Sequence, residues 1–126
     1  MLQPKTILSF GAILAFLSVA LGAFGAHALK DFLQAQNRLD TFETAVRYQM
    51  YHALALIFTG ILAHLFPQYS FSKIAYLFLG GIFIFSGSLY ILCASGQKWL
   101  GAVTPLGGLC FLLAWVWLAW TFFRSE

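Results

Sequence analysis

A chain of 126 residues has the length of one domain, but 61% hydrophobic content, 9% charged content and a mean hydropathy of +0.84 exclude a soluble globular fold, in which roughly 25% of residues are charged. The formal charge of +3 does not point to nucleic acid, because the seven basic residues stand singly at the ends of apolar runs, as interface anchors do. Cys93 and Cys110 lie inside apolar stretches with no CxxC or zinc-ligand spacing, so they read as small hydrophobes.

The first predicted element is a span over 6–29, which carries no charged residue and exceeds the ~20 residues needed to cross the hydrocarbon core. Lys5, an apolar run and Ala26-His27-Ala28 also resemble a secretory signal. The run is longer than the usual h-region of roughly 7–15 residues, so an uncleaved anchor is expected. Within it, Gly11, Ala15, Ser18, Gly22 and Gly25 recur at helical spacing and form one narrow stripe of small residues. Such stripes let helices approach closely in lipid, where hydrophobic exclusion between helices is absent.

Residues 30–43 place Phe32, Ala35, Leu39 and Phe42 at helical spacing between charged groups, which predicts a short interfacial helix. Asp40 and Glu43 then have capping-box spacing, which would start the next helix near Thr41. The second span, 44–66, is interrupted: it opens with Arg47, Tyr48, Gln49, Tyr51 and His52 and becomes apolar only afterwards, before Pro67 closes it. Glu43 and Arg47 stand at i, i+4 with the acid first, the favourable order for a helical ion pair.

The third span, 74–95, is free of charge, with Gly80 and Gly87 as a second small stripe and Tyr76, Phe83 and Tyr90 along a neighbouring face. The fourth, 104–123, opens on Thr104-Pro105, read as an N-cap followed by a proline at the first helical position. The expected fold is therefore all-α: a single domain over 1–126, an integral membrane bundle of four transmembrane helices with a short interfacial helix between the first two.

If the spans alternate, the polar groups are lopsided. One side, B, collects His27, Glu43, Arg47, Tyr48, His52, Ser86, Ser88, Tyr90 and Thr104, together with Lys30, Asp31 and Lys98. The other, A, holds both termini, the loop PQYSFSK and His64. Ionisable groups at membrane depth need partners or a purpose, so the side B cluster is the candidate site. The simplest reading makes His27 and His52 hydrogen-bonding groups that tie the first two spans together. A metal held by His27, His52 and Glu43, a haem between the two histidines, and a proton relay through His52, Tyr48 and Glu43 use the same residues. No ligand spacing supports the metal, and neither metal nor cofactor is expected. Basic counts on the two sides are nearly equal and leave orientation open.

No hydrolase, kinase or phosphate-loop motif occurs, since the Gly80-Gly81 and Gly107-Gly108 doublets lack a following lysine, and Ser86-Gly87-Ser88 lacks a nearby base. Four ordered blocks do stand out: GAFGAHALK (22–30), TAVRYQMYHALAL (44–56), FSGSLYIL (85–92) and TPLGGLCFLLAW (104–115). They resemble the signature blocks of the YgdD/YwdK-like family of small bacterial membrane proteins, which has eukaryotic transmembrane relatives. The resemblance covers nearly the whole chain and implies about four spans, a location in the bacterial inner membrane, and no catalytic activity to carry over. The expectation is a non-catalytic membrane protein that supports membrane or envelope integrity, with the lipid bilayer and either a second copy or a membrane-protein partner as its contacts. The alternative is a binding or transport protein for a proton, ion, lipid headgroup or small solute.

Overall fold

Lipid offers a backbone no hydrogen bonds, so long uncharged runs close their own as helices. The computed structural model describes residues 1–124, and among these the regular structure is entirely helical. It comprises α1 (Pro4–Ala26), α2 (Lys30–Ala35), α3 (Leu39–Leu65), α4 (Ser72–Gly81), a π-helical stretch (Ile82–Ser86), α5 (Gly87–Ser95) and α6 (Leu100–Phe123). The pieces from Ser72 to Ser95 run on as one rod. This rod, α1 and α6 are each long and apolar enough to cross a membrane. The 27-residue α3 is also long enough, but Asp40, Glu43, Arg47, Gln49 and two histidines dilute its hydropathy.

Close contacts give the order of packing. Gly60 meets Leu8, Gly11 meets Ile57, Gly22 meets Val46 and Gly25 meets Phe42, so α1 and α3 run antiparallel along their lengths. A Cβ at Gly11 would lie 2.7 Å from the Ile57 side chain and 2.9 Å from the Ala53 carbonyl oxygen, a gap only glycine fits. The rod lies antiparallel to α3, with Ser86 beside Ala45 and Phe78 beside His52, and antiparallel to α6, with Gly81 against Phe111. The main core contains Ile7, Leu56, Ile74, Phe78 and Phe111; a smaller cluster of Leu33, Phe42 and Cys93 lies at side B. Phe16 and Val19 of α1, Phe83 of the rod, and Leu112 and Val116 of α6 point outward, as expected of a surface bathed in lipid tails.

Several expectations change. The helix at 30–43 is broken at Asn37, whose φ of +54° is left-handed, so the register resets and Leu33 is buried while Phe32 is exposed. α3 starts at Leu39 with Arg38 as its N-cap and no side-chain cap bond, so Asp40 and Glu43 form no capping box. Arg38 instead turns toward the C-terminal end of α5: its guanidinium lies 3.5 Å from the Cys93 carbonyl oxygen and beside Gly96, which takes the left-handed C-cap position at φ +76°. α6 begins four residues before Thr104, through a tight lead-in in which Leu100, Gly101 and Ala102 donate to the carbonyls of Gln97, Lys98 and Trp99. Pro105 thus sits inside the helix, and Thr104 caps nothing.

The second small stripe is displaced. A Cβ at Gly80 or Gly87 would meet nothing within 4 Å, whereas Gly81 and Gly107 are pressed against Phe111 and the Phe85 backbone. The π-helical stretch accounts for the neighbouring tyrosine face: its wider turn breaks the constant advance of ~100° per residue that placed Tyr90 with Tyr76 and Phe83. Past that stretch, Tyr90 faces the bundle while Tyr76 and Phe83 remain outside.

Candidate functional site

α3 is the centre of the polar structure. Ala45, Gln49, His52, Ala53, Leu56, Thr59 and Gly60 recur along its buried face, so the side chain at 49 must find polar partners inside the bundle. Gln49, 3% exposed, finds two. Its Nε2 donates to the Leu14 carbonyl of α1 at 2.9 Å, and its Oε1 accepts from the Tyr90 hydroxyl of α5 at 2.7 Å. The same Leu14 carbonyl accepts from the Ser18 hydroxyl at 2.9 Å. One amide therefore bridges three helices, close to the middle of α1. Four residues earlier on α3, the Ala45 carbonyl accepts from Ser86 Oγ at 2.7 Å.

His52 extends the connection to α6. Trp115 Nε1–H can only donate and lies 3.2 Å from His52 Nε2, so that nitrogen is the acceptor. The proton then belongs on Nδ1, which donates to the Tyr48 carbonyl at 2.7 Å: the neutral Nδ1–H tautomer. The imidazole also stacks on Phe111, with centroids 3.5 Å apart and planes 7° from parallel, and Tyr48 stacks on Phe85 at 4.7 Å. Among the described residues, every buried side-chain nitrogen and oxygen has a hydrogen-bond partner.

The residues named from sequence thus fall into separate groups. Tyr48, His52, Ser86 and Tyr90 join the network around α3. Ser88 and Thr104 form their own clasp, hydroxyl to hydroxyl at 2.6 Å, between α5 and α6. Glu43 and Arg47 are an exposed pair on the outside of α3 at 3.2 Å. His27 lies at the C-terminal end of α1, exposed and with no side-chain hydrogen bond among the described residues, so it ties nothing to His52. The partner of His52 is on α6, not α1. Among the described residues no three His, Cys, Asp or Glu side chains gather as a metal site, and both ring nitrogens of His52 are engaged.

Of the α1 stripe, Gly11, Ser18 and Gly25 are buried, Gly22 is in ordinary contact with Val46, and Ala15 is half-buried. Gln49, named from sequence only as one of the polar residues that interrupt the second span, and Trp115, not singled out at all, complete the network. Gln49 is uncharged, and Trp115 sits in a tryptophan-rich run that reads as interfacial. The i, i+4, i+7 spacing of Ala45, Gln49 and His52 was the available signal.

Comparison with known proteins places this arrangement. The family model described as "Protein of unknown function (DUF423)" matches residues 21–108. The chain belongs to the DUF423 family. UPF0382 membrane protein YwdK of Bacillus subtilis is 43% identical over 113 residues, covering 89% of this chain and 91% of its own. A UPF0382 membrane protein of Staphylococcus saprophyticus is 40% identical over 114 residues, with 90% and 93% covered. One of Haemophilus influenzae is 38% identical over 122 residues, with 94% of each covered. No solved structure matches. The chain, like these bacterial relatives, is an integral membrane protein. The DUF423 match takes in Gln49, His52, Ser86 and Tyr90, whereas Leu14 and Trp115 lie outside it.

Proposed function

We propose that this DUF423 chain is a non-catalytic, four-span membrane protein, with α3 as the remaining crossing, that supports membrane or envelope integrity by packing with a second copy or a larger membrane partner. The observation that carries the reading is Gln49: both ends of its buried amide are bonded to neighbouring helices. His52 is spent in the same way between Tyr48 and Trp115. Polar groups inside a bilayer hold helices together when saturated, and mark a pathway when they line a water-filled space.

A binding or transport role has one feature in its favour. At side B, Gly22, Gly25, Phe42, Glu43 and Arg47 line a cleft of about 260 Å³ between α1 and α3, with an ion pair at its rim. A small solute or headgroup would enter there.

Two experiments test the proposal. With Cys93 and Cys110 replaced by alanine, Gln34→Cys and Gln68→Cys, which flank α3, should react with an impermeant maleimide from opposite faces of sealed vesicles; reaction from the same face rules out α3 as a crossing. Protein reconstituted in liposomes should give no proton or solute flux above empty vesicles. Flux that is lost in Glu43→Gln or His52→Ala would replace the packing reading with transport.

A further inference from the structure

At side A, the turn before α4 and the C-terminal end of α6 enclose a cleft of about 430 Å³ between Tyr69, Ser70 and Lys73 on one side and Trp117, Trp120 and Arg124 on the other. We propose that this cleft is a binding site for the headgroup of an anionic phospholipid. Three observations support this occupant.

The first is charge. Of the four acids, Asp31, Asp40 and Glu43 lie at side B, where the ion pair takes up Arg47, and Glu126 lies outside the described residues. Lys73 and Arg124 face the side A cleft with no ion pair among the described residues. The second is shape. Trp117, Trp120 and Arg124 follow one face of α6 over about two turns, roughly 10 Å. Tryptophan settles where the acyl region gives way to headgroups, and a cation beyond it stands at phosphate level. A groove graded in this way fits an acyl chain below and a negative head above. The third is selectivity. The Lys73 ammonium lies 5.7 Å from the centroid of the Trp117 ring, so that aromatic face already holds a cation. A choline group would compete with Lys73 for the ring and be repelled by it, whereas phosphatidylglycerol brings a net negative charge and no cation.

The test is native mass spectrometry of the full chain released from a phosphorus-free detergent, titrated separately with phosphatidylglycerol, phosphatidylcholine and inorganic phosphate. Each basic group near an anionic headgroup is worth about a fivefold preference. The wild type should therefore retain phosphatidylglycerol at least about fivefold better than phosphatidylcholine, and Lys73→Gln/Arg124→Gln should abolish that preference. Lys5→Gln, in a separate groove at the same end, should leave it intact. Lys73→Arg should keep the preference, and an unchanged SDS-unfolding midpoint of the double glutamine variant shows that its loss of preference is not misfolding. Equal retention of the two lipids, or a preference that survives the double variant, overturns the proposal. Retention of inorganic phosphate that depends on Lys73 and Arg124 assigns the cleft to a soluble anion instead.

Discussion

Replacing Gln49 with leucine removes two interhelical hydrogen bonds while keeping most of the side-chain volume. Within bilayers such bonds average about 0.6 kcal/mol and reach about 1.7. The two sides of the amide do not lose equally. The Leu14 carbonyl keeps its bond from Ser18, but the half-buried Tyr90 hydroxyl loses its acceptor, and a stranded polar group costs about 1–3 kcal/mol when buried, the lower end applying here. Gln49→Leu should therefore lower stability by ~2 kcal/mol. Tyr90→Phe removes the hydroxyl and leaves the amide bonded to α1, so it should cost ~1 kcal/mol. The double variant has neither a stranded hydroxyl nor a half-used amide and should cost about 1 kcal/mol less than the sum of the two. The assay is reversible unfolding in mixed micelles, followed by far-ultraviolet circular dichroism across an SDS titration. Additivity within ~0.3 kcal/mol would mean that the two groups do not depend on each other, and the bridge would lose its standing as a unit.

Gly107→Ala drives a methyl group into the Phe85 backbone, with Cα 2.7 Å away, and should destabilise by about 1–3 kcal/mol in the same titration, whereas Gly80→Ala, which meets nothing, should not destabilise. Nitrogen NMR of imidazole-labelled protein should show His52 as the neutral Nδ1–H tautomer; an Nε2–H ring would contradict the Trp115 bond. The purified protein should be colourless, and a Soret band lost in His52→Ala would show that the ring nitrogens serve iron instead. Glu43→Gln should shift stability by no more than ~0.3 kcal/mol, and less at high salt, because the pair with Arg47 is exposed.

The long helices and the α1 stripe were legible because uncharged length and a 3.6-residue period are intrinsic to the sequence. Gly11 and Gly25 meet α3 where that period directs them. The rod was harder to read, because a π-helical turn has no compositional mark and yet rotates everything beyond it. This is why Tyr90 enters the bundle while Tyr76 and Phe83 stay outside. The polar residues on α3 pointed to the right helix, but charge drew attention to Glu43 and Arg47, which lie outside, and away from Gln49, which holds the interior. Thr104 and Pro105 carried a familiar helix-start signature that the Gln97–Leu100 turn had already made unnecessary. Which residues pair across helices depends on the depth at which each helix begins, and no local pattern states that.

The acceptors in this network are largely main-chain carbonyls, those of Leu14, Ala45 and Tyr48. A carbonyl survives any substitution at its own residue that leaves the helix in place. Over generations, positions 14 and 45 can therefore drift among side chains of suitable size without loosening the bundle, while the donors at 49, 52 and 86 cannot. The architecture confines its mutational fragility to few positions and leaves the greater part of its membrane-facing sequence free to track whatever lipid composition its host adopts.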